Sequence, residues 1–179
     1  MNLACGWRPG GRVAAGVCAA LLSACASLPA PPAGTLVGRL SVRVDGQPER
    51  AVSAGFELVG DARRGSLVLS GPLGTTAAQA SWAPGEAVLR SGSSASRHVD
   101  LDSLGKAALG ETLPMAALFD WLRGRAWAGA PSQPRPDGQP GFVQLGWQVD
   151  LSRWADGALE AVRLAPPAIT VRARVEPAG

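Results

Sequence analysis

The chain has 179 residues, enough for one domain, and its 17 basic and 14 acidic side chains nearly balance. Removing the predicted N-terminal signal, which carries Arg8 and Arg12, leaves a formal charge of about +1. That balance excludes the strongly basic surface with which proteins bind nucleic acid.

The first 24 residues have the layout of a lipoprotein signal peptide. Arg8 and Arg12 precede an apolar run that starts at Val13 and ends in Leu-Ser-Ala-Cys at positions 22–25. A basic start, an apolar stretch and small residues at the cleavage point are typical of secretory signals. Because the final cysteine resembles that of a bacterial lipobox, we expect cleavage before Cys25 and a diacylglycerol on its thiol. The alternative is an ordinary secretory signal with a chance cysteine.

Residues 25–35 are rich in proline and small side chains, which predicts a lipidated tether without packed structure. The predicted globular domain covers residues 36–179. Cys5 and Cys18 leave with the signal and Cys25 is blocked by lipid, so we expect neither a free thiol nor a disulfide in this domain. No later apolar run approaches the ~20 residues of a membrane-spanning helix, so the lipid is the predicted membrane attachment.

Apolar and polar residues alternate in the first half of the domain, which predicts half-buried β-strands. Leu36, Leu40 and Val42 share one face of the first strand. Turn signals follow at regular intervals, the last of them at positions 84–85. Because hairpins need only short connections, the strands that run to Val99 are predicted to form an antiparallel meander.

Two short helices are predicted after this meander. Asp100 suits an N-cap, and Gly110 follows the end of the first helix. Pro114 suits the first position of the second helix, and Gly124 the position after its end. Apolar residues recur at helical spacing in both segments: Leu101, Leu104 and Ala108 in the first, and Met115, Leu118, Phe119 and Leu122 in the second.

The last third of the chain predicts three more strands. A polar, proline-rich loop over residues 131–140 precedes one strand over residues 142–151. The alternation places Phe142 and Gln144 on one side of that strand, and Trp147 and Val149 on the other. Two further strands cover residues 159–164 and 169–175.

The sequence contains few residues in arrangements that are typical of catalytic sites. His98 is the only histidine, so no zinc site is predicted, and nothing resembles a nucleophile elbow that could use it. Asp100 and Asp102 are better explained by helix capping and the helix dipole than by acid catalysis. No glycine-rich phosphate loop follows a strand. The sequence therefore predicts no enzyme, no metal and no cofactor.

Apolar surface is the remaining functional signal. A curved sheet with two helices over one face encloses a space between them. That space is either a cavity for an apolar ligand or a filled core, and periodicity alone leaves both open.

Three stretches are similar to motifs of the LolB family of outer-membrane lipoprotein receptors. Residues 70–75, Ser-Gly-Pro-Leu-Gly-Thr, resemble its Pro-Leu-Gly hairpin. Residues 144–149, Gln-Leu-Gly-Trp-Gln-Val, resemble its Gln-x-Gly-Trp-x-Val strand. Residues 110–114 resemble the start of its Leu-Pro helix, whose later positions are matched by Leu118, Trp121, Leu122 and Gly124. Together with the lipobox, these motifs lie in the family's order over essentially the whole mature chain.

The resemblance implies a mainly β fold with helices: an incomplete, strongly curved antiparallel barrel of about eleven strands, with helices covering a hydrophobic cavity. It also implies a function. A LolB-type protein receives lipoproteins from the periplasmic carrier LolA, holds their acyl chains and releases them into the outer membrane. It needs no cofactor and no nucleic acid, and it acts as a lipid-anchored monomer that faces the periplasm. Ala26, where many inner-membrane lipoproteins have aspartate, fits an outer-membrane address.

The predicted acyl cavity is lined by the apolar members of the alternating and helical sets. These are Leu40, Val42, Phe56, Leu58, Leu67, Leu69, Leu89, Met115, Leu118, Trp121, Leu122, Trp147, Val149 and Val171. The choice of face depends on register, since a slip of one residue exchanges the two faces of a strand.

A membrane-insertion loop is predicted at Pro72, Leu73 and Gly74. Residues 71–74 suit a type I turn, which leaves the leucine at the third place pointing away from the strands. From the sequence alone, an ordinary surface leucine is an equal alternative to a functional one. The resemblance implies that Leu73 enters the acyl region of the membrane and helps cargo to leave the cavity.

Two other functions stay open at this stage. The first is a structural or assembly-factor lipoprotein of the outer membrane, with a filled core and a protein partner. The second is an envelope lipid carrier of another kind. Bound acyl chains would separate the first from a LolB-type receptor, and recovery of a LolA-like carrier would separate the second.

Overall fold

A single sheet and two short helices make up the computed structural model, which describes residues 34–109, 111–163 and 165–176. The predicted signal peptide, Cys25 and most of the tether lie outside these residues. The strands are β1 Leu36–Val44, β2 Gln47–Gly60, β3 Gly65–Ser70, β4 Thr76–Ala83, β5 Glu86–Ser91, β6 Ser94–His98, β7 Ser132–Pro134, β8 Gly141–Gln144, β9 Trp147–Asp150, β10 Ala158–Arg163 and β11 Ile169–Val175. The helices are α1 Leu101–Leu109 and α2 Met115–Trp121, and a 3₁₀ turn covers Trp154–Asp156.

All the strands of the described residues belong to one 11-stranded sheet, in the order β6-β5-β4-β3-β2-β1-β11-β10-β9-β8-β7. Sequence neighbours pair as hairpins, and β1 joins the two halves by pairing with β11. Within the described part of the chain β6 and β7 remain edge strands, so the barrel is not closed. The mainly β, incomplete antiparallel barrel that the resemblance implied is confirmed.

The antiparallel order decides which turns lie at the same end of the sheet. Strands β1, β3, β5, β8 and β10 run one way, and the others run the opposite way. The end at which these five strands finish is called the upper end; it carries the turns at 45–46, 71–75, 92–93, 145–146 and 165–168. The lower end carries the turns at 61–64 and 84–85, the 3₁₀ turn and the start of β1.

Helix α2 lies against the inner face of the sheet, with Met115, Ala117, Phe119 and Trp121 buried. At the lower end the Phe119 ring stacks on Trp82 with a centroid distance of 5.2 Å. The Arg123 guanidinium donates to the carbonyl oxygens of Phe119 and Gly60, both at 2.8 Å. A cation near the negative end of a helix is favourable, and this one also ties the helix to the end of β2.

Helix α1 buries fewer of its described residues than α2 does. The Asp100 carboxylate accepts the Ser103 N–H at 2.7 Å, which confirms the predicted N-cap. Of residues 101–108, only Leu104 and Gly105 are buried. Gly105 lies close to α2, because a Cβ at that position would stand 3.1 Å from Cγ of Met115.

The single strand predicted over residues 142–151 is wrong. The structure divides it into β8 and β9 with a two-residue turn, in which Leu145 has φ 54° and Gly146 has φ 76°. Two positive φ values are what a type I′ hairpin turn needs. The turn places Gln144 opposite Trp147, so both are buried on one side rather than on opposite sides.

The polar loop predicted over residues 131–140 also needs correction. It contains the short edge strand β7, which pairs with β8 through Ser132 and Gln144. Proline is tolerated there because an edge strand has backbone positions that need not donate to a neighbour.

Candidate apolar cavity

A cavity of about 100 Å³ lies between the two helices and the inner face of the sheet. Every residue that lines it is apolar or glycine. The strands contribute Leu40, Val42, Val52, Leu67, Leu69, Ala78, Ala80, Leu89, Val171 and Ala173. The helices and their connection contribute Leu104, Gly105, Ala108, Leu113, Met115, Leu118, Phe119 and Leu122. A wall without charge or hydrogen-bonding side chains accommodates hydrocarbon and disfavours polar groups.

Small side chains on β4 help to leave this space open. Ala78 pairs with Leu69 and Ala80 pairs with Leu67 across the β3–β4 ladder, so leucines on one strand meet alanines on the next. Since protein interiors are otherwise close-packed, an alanine on an inward-facing position leaves room that a larger residue would fill.

Most of the predicted cavity residues come together in this lining: Leu40, Val42, Leu67, Leu69, Leu89, Met115, Leu118, Leu122 and Val171. The others lie in the buried clusters beside it: Phe56, Leu58, Trp121, Trp147 and Val149. The lining also contains residues that were not predicted as cavity residues: Val52, Ala78, Ala80, Leu104, Gly105, Ala108, Leu113, Phe119 and Ala173. Val52, Leu104, Ala108 and Phe119 belong to the same alternating and helical sets and could have been found, whereas Gly105 and the alanines on the strands carry little hydrophobic signal.

The opposite side of α2 is filled rather than open. The buried Trp121 ring packs against Phe142 and Trp147, with centroid distances of 6.4 Å and 5.9 Å. These aromatic side chains occupy the space between α2 and the β8–β9 hairpin. The interior therefore has a solid half beside β8–β10 and an open half beside β1–β5.

The open half is narrow for a long hydrocarbon. A void that holds one benzene takes about 150 Å³, and pockets for larger ligands take about 300 Å³ or more. At about 100 Å³ the cavity must widen before it can hold an acyl chain. Among residues 101–108 of helix α1 only Leu104 and Gly105 are buried, and no strand pairing holds this helix, so moving it costs less than separating paired strands.

The loop at 71–75 protrudes from the upper end. Its turn is closed by hydrogen bonds from Gly74 N to Gly71 O at 3.0 Å and from Gly71 N to Thr75 O at 2.9 Å. Pro72, Leu73 and Gly74 are all exposed, and Leu73 has 91% of its surface in solvent. The closed turn prevents the leucine from folding back onto the core.

Comparison with known proteins identifies the family. Residues 35–176 match the family described as "Outer membrane lipoprotein LolB". The chain belongs to the LolB family. It is 38% identical to the "Outer-membrane lipoprotein LolB" of Bordetella petrii, over 96% of this chain and 88% of that protein. It is also 38% identical to the protein of that name in Bordetella pertussis, over 75% of this chain and 74% of that one.

In this member of the LolB family, charged residues fasten the connection between the helices to the upper rim. The Glu111 carboxylate lies 3.7 Å from Arg50 on β2 and 3.4 Å from Arg163 on β10. Arg163 also donates to the carbonyl oxygens of Thr112 at 3.4 Å and Pro167 at 3.1 Å. These contacts hold the connection from two sides at the upper end of the sheet, where Leu73 also protrudes.

The described residues of this LolB-family chain include few candidates for a catalytic or metal-binding site. The only histidine, His98, lies on the edge strand β6, with Nε2 3.0 Å from the Ser96 hydroxyl. No group of three metal-ligating side chains occurs among residues 34–109, 111–163 and 165–176. Over the same residues, neither helix is both long and apolar enough to cross a membrane.

Proposed function

We propose that this protein receives lipoproteins from a LolA-type periplasmic carrier, holds their acyl chains in the apolar cavity and inserts them into the outer membrane. The observation that carries the proposal is the wholly apolar lining of that cavity in a chain of the LolB family. The protein acts as a monomer on the periplasmic side of the outer membrane, anchored through lipidated Cys25.

Transfer needs no bond to be made or broken. Each buried methylene group contributes about 0.8 kcal/mol, so an acyl chain moves to whichever site removes it most completely from water. A lining without polar side chains recognises the hydrocarbon and leaves the attached polypeptide outside. One receptor can therefore serve lipoproteins with unrelated sequences.

Loading widens the cavity by moving α1 away from the sheet. Helix α2 is fixed at its lower end by Arg123 and by the Trp82–Phe119 stack, whereas α1 buries only Leu104 and Gly105. Met115, between the two helices, has a flexible side chain that adapts to the new spacing. Entry of the acyl chains then replaces the contacts that α1 loses.

The anchor and the upper end can reach the same membrane. Strand β1 starts at the lower end, and its nine residues rise about 30 Å. Cys25 precedes Leu36 by 11 residues, and a chain of that length reaches at most about 36–40 Å. The length of chain alone therefore allows the lipid on Cys25 and the loop at Leu73 to meet one bilayer.

A two-step transfer assay tests the proposal. A purified LolA-type carrier, loaded with labelled lipoprotein, is mixed with the full-length protein, and liposomes are added afterwards. We expect label to pass to the protein and then to the liposomes. The Leu73→Glu variant should accept the label and fail to insert it, whereas Val99→Glu, at an exposed residue of the lower end, should insert it normally. Failure of the wild-type protein to accept label would contradict the proposal, and normal insertion by Leu73→Glu would remove the role of the loop.

A further inference from the structure

We propose that Leu145, at the tip of the β8–β9 hairpin, is a second membrane contact that acts together with the Leu73 loop. The inference rests on the proposed function, because it assumes that the upper end meets a membrane during insertion. It assigns a residue that neither the cavity nor the Leu73 loop includes.

Leu145 lies at the same end of the barrel as Leu73. Strands β3 and β8 run in the same direction within the antiparallel order, and each leads directly into the turn that carries one of the two leucines. Six steps of the sheet separate β3 from β8, which corresponds to about 29 Å along the sheet. The two leucines therefore mark two separate points on the upper rim.

Leucine is unfavourable at the hairpin tip for two reasons. The φ of Leu145 is 54°, in the left-handed region that glycine and asparagine adopt easily and bulky residues avoid. The residue is 48% exposed, so full burial in the core does not offset the backbone strain. A local backbone outlier with an exposed apolar side chain is the kind of feature that points to contact with something outside the chain.

A bilayer fits this arrangement better than a protein partner. Two isolated leucines at distant points of one rim do not form the contiguous apolar patch that protein interfaces use. A membrane is apolar below its headgroups and broad enough to meet both points at once. Among the described residues the other large apolar side chain that is strongly exposed, Val99, follows β6 and lies at the lower end.

Two contacts would orient the upper end of the barrel on the membrane. Leu73 alone leaves the barrel free to tilt about one point on the membrane. Leu145, six strands away on the same rim, restrains that tilt and keeps the upper end directed at the lipid. Insertion would then be faster because the acyl chains leave the cavity directly into hydrocarbon.

Leu145→Asn separates this role from a structural one. Asparagine suits the left-handed turn better than leucine, so the variant should unfold at the same temperature as the wild type or a higher one. We expect full-length Leu145→Asn to accept labelled lipoprotein normally and to insert it into phosphatidylethanolamine–phosphatidylglycerol liposomes about three- to tenfold more slowly. Val99→Asn is the matched control and should insert at the wild-type rate. Leu145→Gly, which also suits the turn but has no side chain, should be as slow as Leu145→Asn.

The outcomes distinguish this inference from the proposed function. If Leu145→Asn inserts normally while Leu73→Glu fails, Leu145 is only a turn residue and the proposed function stands. A lower unfolding temperature and reduced acceptance by Leu145→Asn would show a structural role and overturn the inference. If the wild-type protein does not accept or insert label at all, the proposed function itself fails.

Discussion

Trp121 donates its indole N–H to the side-chain oxygen of Gln144 over 2.9 Å, and both residues are buried. The same oxygen accepts the backbone N–H of Trp127 at 3.0 Å. The Gln144 amide nitrogen donates to the carbonyl oxygens of Trp127 at 2.7 Å and Ala130 at 2.8 Å. One buried amide thus joins α2, the segment after it and β8, and it fixes the solid half of the barrel interior.

Gln144→Ala should therefore destabilise the protein strongly. It leaves the Trp121 and Trp127 N–H groups without their acceptor, and each buried unsatisfied polar group costs about 1–3 kcal/mol. We expect urea unfolding to show a loss of about 3 kcal/mol in the free energy of unfolding. Gln148→Ala, on the neighbouring strand, is the control and should cost less than ~1 kcal/mol. Equal losses for the two variants would contradict the role assigned to Gln144.

Lipidation at Cys25 is tested by mass spectrometry of the mature N-terminus. The wild-type protein should begin at Cys25 and carry a diacylglycerol, whereas Cys25→Ala should remain unlipidated. Cys18→Ala, within the predicted signal, should still yield lipidated Cys25. An unmodified Cys25, or cleavage at another residue, would contradict the assignment. The unanchored protein should still accept lipoprotein, because the cavity lies within the folded domain.

The cavity can be blocked from a single position on β4. Ala78 lines the cavity, whereas the adjacent Ala77 is exposed. Ala78→Phe should fill the space and weaken binding of a fluorescent fatty acid at least about tenfold, with a stability cost of about 1–3 kcal/mol. Ala77→Phe should leave binding unchanged. Unchanged affinity in a folded Ala78→Phe variant would show that acyl chains bind elsewhere.

Acid should weaken the β7–β9 end of the sheet. The buried Arg135 guanidinium donates to Asp137 at 3.0 Å and lies 2.7 Å from Asp150. The hydrogen bond from Arg135, followed by that from Gln139 N–H, lowers the pKa of Asp137 below its usual 3.8. A carboxylate with a lowered folded-state pKa stabilises the protein above its unfolded pKa, and this contribution is lost as the pH falls through the folded value.

Urea unfolding at pH 7 and pH 3 measures this effect. The free energy of unfolding should be lower at pH 3, and Asp137→Asn should make the difference between the two pH values smaller than in the wild type. An unchanged difference in Asp137→Asn would show that the Arg135–Asp137 pair does not contribute to acid sensitivity.

The regular parts of the fold could be predicted because their signals are local. Alternation from Leu36 onward, glycine-containing turns and the Asp100 cap each act within a few residues, and the structure has the expected strands and helix start there. The β8–β9 hairpin could not be predicted because Leu145 occupies a turn position that asparagine, aspartate or glycine normally fills. With leucine there, the continuous alternating pattern predicts one long strand.

The division of the interior into a solid half and an open half could not be predicted from the sequence, for a different reason. Trp121 and Leu118 both belong to the apolar set of one helix, yet one fills the solid half and the other lines the cavity. Which of them meets empty space depends on residues on distant strands, such as Ala78 opposite Leu69. Periodicity identifies an inward face, but the space beyond that face is a property of the assembled barrel.

Cross-linking from within the cavity shows whether lipoprotein acyl chains occupy the space between the helices and the sheet. A photoreactive phenylalanine analogue replaces either Leu89, which lines the cavity, or the adjacent Arg90, which is exposed on the other face of β5. After transfer of lipoprotein with radiolabelled acyl chains from the carrier, illumination should label the protein through position 89 and not through position 90. Equal labelling at both positions, or none at 89 while transfer proceeds, would show that acyl chains do not occupy this cavity.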